Sequence, residues 1–218
     1  MSTPVKIDFV SDVACPWCAV GLAALERAMA NIGGDLQVEL HFQPFELNPD
    51  MAPEGESIAD HLGRKYGLTP EQLAQNGEAL RQRGEALGFV FDLQKRDRIY
   101  NTFDAHRLLH WADELGAPQQ RALKHALLNA YHGEGRNVSD RDTLAAIAGS
   151  AGLDGAAARH ILDTDAFAAQ VREREHFYQR QGIRAVPSVI FNDRHLVQGG
   201  QPVEVFEQAL RQLSDIAA

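Results

Sequence analysis

The chain carries two cysteines, and both fall in the run Cys15-Pro16-Trp17-Cys18. Each thiol is therefore the only intramolecular disulfide partner of the other, and two sulfurs cannot supply the four ligands of a structural zinc site. A Cys-X-X-Cys pair beside a strand-to-helix pattern is typical of thiol–disulfide exchange. The alternative is a pair of buried, inert thiols at helical spacing, because cysteine is among the most buried residue types. The proline and tryptophan between the two thiols favour a reactive loop.

The flanking sequence predicts a strand before this motif and a helix after it. Apolar residues alternate with polar ones over residues 5–10, as in a strand with one buried face. Between residues 19 and 32 they recur at helical intervals, and Gly33-Gly34 then ends the predicted helix. Pro16 fits the first turn of that helix, where a missing N–H costs nothing.

This placement has a predicted effect on the reactivity of Cys15. At a helix N-terminus, unpaired N–H groups and the helix dipole stabilise a thiolate. Cys18 lies about one turn further in and is expected to be less exposed. Residues 1–50 hold seven acidic side chains against two basic ones, and nearby negative charge raises the pKa of a thiol. The two influences on Cys15 therefore act in opposite directions.

The composition of the 218 residues is that of a soluble globular protein, with 44% hydrophobic and 23% charged residues. The net charge of −9 argues against a nucleic-acid partner and against an anionic membrane surface. The N-terminal sequence lacks the features of a secretory signal, and no apolar run is long enough to span a bilayer. We therefore expect a cytoplasmic protein, in which a lone vicinal dithiol is more often catalytic than structural.

The order of predicted elements indicates an α/β fold with a long helical block. A second strand is predicted over residues 36–42, after which three prolines interrupt regular structure. From residue 57 to about residue 182 the pattern is almost entirely helical. A hairpin over residues 188–191 and 195–197 follows, and a helix over residues 203–213 closes the chain.

Four segments of the chain resemble the DsbA-like thioredoxin family, in particular its cytoplasmic FrnE-like branch. This branch is related to 2-hydroxychromene-2-carboxylate isomerase and to kappa-class glutathione transferases. The matching segments are residues 11–18, 44–49, 182–188, and 199–202 together with Phe206. The resemblance implies a thioredoxin-like fold with a large all-helical insertion. The thioredoxin-like domain would comprise residues 1–50 and 166–218, and the helical insertion domain residues 51–165.

The resemblance also implies a substrate site around the dithiol. Pro187 would adopt a cis peptide bond opposite the cysteines, and the backbone of Val186 would pair with an extended substrate. The alternative for Pro187 is a trans proline at the start of an edge strand, which base rates favour for any single proline. Trp17, placed between the cysteines, is expected to be exposed and to contact substrate.

Other candidate residues carry weaker signals. Many thioredoxin-fold enzymes hold a buried acid about six residues before the first cysteine, and here that position is Phe9. Asp8 and Asp12 are the nearest acids, and we expect both to be solvated because buried unpaired acids are rare. His106 and His110 are spaced like helical zinc ligands, but no third ligand is suggested and a packing or capping role is expected.

Two further expectations concern the helical block. The family resemblance places Asn101, His106 and Arg107 in a cap over the dithiol. Trp111 lies on an apolar helix face and is expected in the core.

The leading hypothesis is a thiol–disulfide oxidoreductase in which Cys15 attacks and Cys18 resolves the mixed disulfide. It would act on thiol- or disulfide-containing proteins or small molecules, without a bound metal or organic cofactor. Glutathione or thioredoxin would recycle it, and a homodimer is one expected assembly. One alternative is a glutathione-dependent isomerase or transferase of the kappa-class group, whose members place serine at the nucleophile position. The other is a non-catalytic redox-sensing holdase.

Overall fold

The computed structural model describes residues 4–33 and 36–216. In chain order its elements are β1 (Val5–Ser11), α1 (Pro16–Ile32), β2 (Val38–Pro44), β3 (Glu56–Ser57), α2 (Ile58–Tyr66), α3 (Pro70–Ala86), β4 (Arg98–Ile99), α4 (Phe103–Leu115), α5 (Ala117–Leu128), α6 (Arg141–Ser150), α7 (Gly155–Asp163), α8 (Ala168–Arg180), β5 (Ser188–Phe191), β6 (His195–Gln198) and α9 (Val203–Ile216). A π-helical turn, Asn129–Gly133, continues α5.

The main sheet has four strands in the order β2-β1-β5-β6. Strand β1 runs parallel to β2 and antiparallel to β5, and β5 and β6 form an antiparallel hairpin. The predicted order, a parallel βαβ unit first and a hairpin with a closing helix last, is confirmed. Strand β1 lies in the middle of the sheet, and six of its seven residues are buried, as expected for a strand with both faces covered.

Alternation along β1 divides its side chains between two faces. Val5, Ile7 and Phe9 join a core cluster with residues of α1 and α9, whereas Val10 packs against Tyr178 of α8 on the other face. The sheet is thereby enclosed by helices on both sides. Helix α1 begins at Pro16 and ends at Ile32, with Gly33 as its C-cap, as predicted. Gly34 lies outside the described residues.

Strand β2 spans Val38–Pro44, so it begins and ends two residues later than the predicted range of 36–42. Its parallel pairing with β1 continues until Ser11 lies opposite Pro44. Proline is tolerated there because β2 is at the edge of the sheet and Pro44 is its last residue.

The helical block is also less continuous than predicted. Strands β3 and β4 pair antiparallel, with Glu56 opposite Ile99, and α4 begins only at Phe103. The side-chain oxygen of Asn101 accepts the N–H of Phe103 at 2.9 Å. Asp92 likewise accepts the N–H groups of residues 94 and 95 at 3.1 Å. Such local bonds offer the backbone an alternative to the helix.

The helical block packs directly against the sheet. Leu80, Phe89, Phe91 and Leu128 belong to the same buried cluster as the sheet residues and the two cysteines. A second cluster, formed mainly by α4 to α7, has the half-buried Trp111 at its margin rather than within it. The predicted domain boundaries, which place the helical insertion at residues 51–165 between the two parts of the thioredoxin-like domain, stay a prediction. Within residues 4–33 and 36–216, no helix combines the length and apolarity needed to cross a membrane.

Candidate active site

Cys15 lies at the junction of β1 and α1. It is the N-cap residue of α1, with Pro16 in the first turn, and the N–H of Cys18 donates to its carbonyl at 3.1 Å. Both thiols are free. Cys15 is 4% exposed, Cys18 is fully buried and Trp17 is 40% exposed. The predicted order of exposure within the motif is thus confirmed.

The pKa of Cys15 is lowered. The largest cause is a hydrogen bond from the Cys18 thiol, and burial acts in the opposite direction. The N–H groups of Trp17 and Cys18 lower the pKa further, as expected at a helix N-terminus. The charge of Asp12 raises the pKa of Cys15 but does not reverse the net effect. The sulfur of Cys15 is therefore the more readily ionised of the two.

The pKa of Cys18 is raised well above its usual value. Burial is the largest cause, followed by the hydrogen bond to Cys15 and the charge on that sulfur. Lys124 is the charged side chain that acts in the opposite direction. A buried thiol keeps its proton, so Cys18 stays protonated while Cys15 is the sulfur that ionises first.

The cis-proline loop forms the wall opposite the dithiol. The Val186–Pro187 peptide bond is cis, as the resemblance implied, and the trans alternative is wrong. The sulfur of Cys15 lies 3.7 Å from the carbonyl oxygen of Val186. A Cβ at Gly21 would lie 3.0 Å from the ring of Pro187. The absence of a side chain at Gly21 therefore lets α1 approach the proline.

The described residues also form a cavity of about 250 Å³. It lies between α1, α3 and the start of α9, and Arg83, Leu87 and Gln201 are among its lining residues. The guanidinium of the lining residue Arg83 lies 5.3 Å from the centre of the Trp17 ring, and neither cysteine lines the cavity. The cavity combines apolar walls with polar side chains, as small-ligand sites do.

The expectation that Asp8 and Asp12 are solvated is wrong, because both are buried. Asp12 accepts the N–H of Ala14 at 3.1 Å and that of Leu47 at 2.7 Å. Burial alone would raise the pKa of Asp12, but His106 and the Leu47 N–H outweigh it and hold that pKa below its usual value. Asp12 is therefore a carboxylate fixed in place beside the dithiol.

Asp8 points to the other side of the sheet. Gln43 donates to it at 2.6 Å and Lys6 pairs with it at 2.9 Å. Both carboxylates can be buried because their hydrogen-bond and ion-pair partners compensate the loss of water. Those partners cannot be identified from the linear sequence.

The structure separates the three residues expected in the helical cap. His106 contacts the carbonyl oxygen of Phe45 at 3.1 Å and lies 3.7 Å from Asp12. Arg107 instead bonds Asp104 and the carbonyl oxygens that follow α7. Asn101 lies two residues before α4 and donates to the carbonyl oxygen of Met51 at 3.2 Å. Only His106 of the three belongs to the surroundings of the dithiol.

His110 does not join His106 in a metal site. Its ring lies 5.5 Å from that of Phe167, consistent with a packing role. Within the described part of the chain, no group of three or more His, Cys, Asp or Glu side chains could hold a metal ion.

Sequence reasoning missed the residues of the helical block that hold the loop before Cys15. His132 contacts the carbonyl oxygen of Val13 at 2.9 Å, and Arg96 donates to that of Ala14 at 3.5 Å. Burial, and secondarily the charge of Arg96, keep the pKa of His132 well below its usual value, so the ring is neutral. No sequence motif signals these contacts, because they join residues about 80 to 120 positions apart.

Lys124 was also missed, although a signal was present. The buried residues of α5 are Gln120, Leu123, Lys124, Leu127 and Leu128. This spacing follows one helix face, and Lys124 lies within it. A lysine on an apolar stripe is a departure from the pattern that could have been noticed from the sequence.

Comparison with known proteins tests the family resemblance and the fold. Residues 6–211 match the DSBA-like thioredoxin domain. The chain belongs to this family. It is 30% identical over 207 residues to YwbO, an uncharacterised protein of Bacillus subtilis (strain 168), covering 94% of this chain and 96% of that protein. The resemblance found in the sequence and the predicted thioredoxin-like fold are both confirmed.

Two solved structures extend the comparison. A probable DsbA oxidoreductase from Streptomyces coelicolor superposes with a TM-score of 0.87 at 35% identity, over 95% of this chain and 89% of that one. The cytosolic disulfide reductase DsbM from Pseudomonas aeruginosa, determined with GSH, superposes with a TM-score of 0.64 at 18% identity, over 95% and 98% of the two chains. The second likeness concerns the fold alone. Family membership supports an oxidoreductase that exchanges thiols and disulfides in the broad sense.

Proposed function

We propose that the chain is a thiol–disulfide oxidoreductase that works through the Cys15–Cys18 dithiol. The observation that carries this proposal is the difference between the two sulfurs. Cys15 stands at the helix N-cap with a lowered pKa, 3.7 Å from the Val186 carbonyl, whereas Cys18 is fully buried and protonated. A nucleophilic thiolate with a protonated thiol behind it is the arrangement that disulfide exchange needs.

In the reducing direction, the Cys15 thiolate attacks a substrate disulfide and forms a mixed disulfide, which Cys18 then resolves. In the oxidising direction, a substrate thiolate attacks Cys15 of the Cys15–Cys18 disulfide. Val186 and Pro187 align the extended substrate, and Trp17 covers its neighbouring side chain. This cycle requires no bound metal or organic cofactor.

Substrates of this chemistry are thiol- or disulfide-containing proteins or small molecules, and glutathione or thioredoxin recycles the dithiol. The cavity between α1, α3 and α9 gives a small thiol such as glutathione a binding place beside Arg83, which stacks on Trp17 of the dithiol motif. A cytoplasmic location is consistent with the lone dithiol and with the cytosolic description of the structurally similar DsbM. The exclusion of nucleic-acid and membrane partners and the homodimer stay predictions.

The test measures insulin reduction and the equilibrium of the dithiol with a glutathione redox buffer. We expect the wild type to reduce insulin, Cys15→Ser to be inactive, and the measured potential to distinguish oxidase, reductase and isomerase roles. A native Cys15 that does not react with thiol reagents would contradict the proposal. Suppression of aggregation without insulin turnover would favour the redox-sensing holdase.

A glutathione-dependent isomerase or transferase predicts a different result. In that case Cys18→Ser would retain affinity for S-methylglutathione, which cannot form a disulfide. Our proposal predicts that Cys18→Ser accumulates a mixed disulfide and stops turning over.

A further inference from the structure

Lys124 lies in a position that is unusual for a lysine. Its side chain is fully buried on α5, and its amino group makes no hydrogen bond within the described residues. Its nitrogen lies 5.8 Å from the centre of the Phe42 ring, and Phe42 packs on Phe9 at 5.9 Å beneath the dithiol. Lysines are almost never fully buried without a partner, so a compensating negative charge is expected nearby.

The compensating groups are the two sulfurs of the dithiol and the carboxylate of Asp12. Burial lowers the pKa of Lys124, while the charges of Cys18, Asp12 and Cys15 raise it, in that order of size. The reciprocal effect appears at Cys18, whose pKa Lys124 lowers. The charge of Lys124 also lowers the pKa of His132, but burial is the largest cause of that lowered pKa and keeps the ring neutral. The negative groups around Lys124 are therefore one fixed carboxylate and two sulfurs whose charge changes during disulfide exchange.

Resolution of a mixed disulfide places a special demand on Cys18. Its sulfur must lose a proton although it is fully buried, and burial disfavours the thiolate. Phe9 occupies the position at which an acid often assists this step, and Asp12 is engaged by two backbone N–H groups. Lys124 is the cationic side chain whose charge favours the Cys18 thiolate, and its nitrogen lies over Phe42, which belongs to the same buried cluster as Cys18.

We propose that Lys124 is a positioning residue for the resolving step, in which its buried ammonium group stabilises the Cys18 thiolate. This inference rests on the proposed function. In the step, Cys18 loses its proton to solvent and its thiolate attacks the Cys15 sulfur. The bond from Cys15 to the substrate sulfur breaks, and the expelled thiolate takes up a proton. The cysteines are oxidised to a disulfide and the substrate is reduced, while Lys124 contributes only charge.

The test measures the reactions of the two cysteines as two separate kinetic phases. Reduced protein is mixed in a stopped-flow instrument with a symmetrical aromatic disulfide that releases a coloured thiolate. The first phase reports attack by Cys15, and the second reports resolution by Cys18. We expect Lys124→Met to slow the second phase at least about tenfold, more than the first, and to move its pH profile to higher pH. Lys124→Arg, which keeps the charge, recovers most of the rate.

A matched control removes a lysine charge at the surface. Lys95 is exposed and pairs with Asp92 at 3.1 Å, so Lys95→Met leaves both phases unchanged. If Lys124→Met slowed both phases equally, or left the pH profile of the second phase in place, Lys124 would serve packing alone and the inference would be wrong. If the wild type failed to release two equivalents of thiolate, the proposed function would be wrong and the inference with it.

A measurement on the wild type avoids dependence on folding of the variants. Nitrogen-15 NMR follows the titration of the Lys124 ammonium group in the reduced protein and in its disulfide form. Because coupling between sites is reciprocal, the pKa of Lys124 must be higher in the reduced protein, whose sulfurs can ionise, than in the disulfide form, whose sulfurs cannot. Equal values in both forms would mean that Lys124 serves only Asp12, and would overturn the inference.

Discussion

The hydrogen bond from Cys18 to Cys15 leads to a quantitative prediction. It is the largest cause of the lowered pKa of Cys15, and the chain allows it to be removed or kept with one substitution. Cys18→Ala removes the donor, whereas Cys18→Ser replaces the thiol with a hydroxyl of similar size. Each variant retains one cysteine, so its ionisation can be followed without overlap.

The magnitude follows from the burial of the pair. A hydrogen bond to a charged acceptor contributes about 1.5 to 3 kcal/mol net, and about 1.36 kcal/mol corresponds to a factor of ten in an ionisation equilibrium. We therefore expect Cys18→Ala to lower the thiolate population of Cys15 by about 10- to 100-fold, relative to Cys18→Ser, at a pH below the pKa. The site excludes most water, with Cys15 only 4% exposed, so solvent replaces the lost donor poorly.

The assay records the ultraviolet absorbance of the thiolate as a function of pH. This signal does not depend on access of a reagent to the buried sulfur. Alkylation rates by iodoacetamide provide a second reading, and circular dichroism verifies that both variants fold. If the two variants titrated at the same pH, the Cys18 hydrogen bond would not lower the pKa of Cys15. The N-terminus of α1 would then be the sole cause.

Three further predictions concern the surroundings of the site. Gly21→Ala brings a Cβ within 3.0 Å of the Pro187 ring. Overpacking should therefore lower the free energy of unfolding by about 1 kcal/mol or more and reduce insulin turnover. Gly149→Ala, with open space around it in α6, should instead stabilise the protein by up to about 1 kcal/mol in urea denaturation. Burial and the neighbouring Glu175 raise the pKa of Glu46 to about 8 from 4.5, so the folded protein binds a proton that the unfolded chain has released. The free energy of unfolding should therefore fall as the pH rises from 4.5 to 8, by at most about 1.4 kcal/mol per pH unit. Glu46→Gln should flatten this pH dependence, and an unchanged slope in that variant would refute the prediction. Gln120 covers the outer edge of β2 by bonding the N–H of Phe42 at 2.8 Å and its carbonyl at 3.0 Å. Gln120→Leu should cost about 2 kcal/mol or more because it leaves two buried groups unpaired, and a loss below about 0.5 kcal/mol would show that the edge has other partners.

The sequence predicted the parts of the fold that depend on neighbours along the chain. Alternation over residues 5–10 and the helical pattern after residue 19 identified β1 and α1, and the position of Pro16 located the N-cap at Cys15. The order of exposure of Cys15, Trp17 and Cys18 followed from that placement. These predictions succeeded because period and capping act over one or two turns.

Predictions failed where a local bond or a distant partner decided the structure. The largely helical pattern from residue 57 to about residue 182 did not reveal the pairing of β3 with β4, since that ladder joins Glu56 to Ile99. Asp8 and Asp12 were expected in solvent because their partners could not be found from their neighbours in sequence. Lys124 was detectable only as a departure from the apolar stripe of α5.

The sequence by itself determined that two thiols stand at a strand–helix junction in a thioredoxin-like order of elements. The direction of the Cys15 pKa was decided only by the tertiary structure, since burial, the Cys18 hydrogen bond and Asp12 act on it together. The same holds for Cys18, whose proton depends on burial by the whole core and on a lysine 106 residues further along the chain. The ionisation of a thiol depends on its distance from other charges and on the exclusion of water. Neither quantity can be derived from the spacing of residues along the sequence.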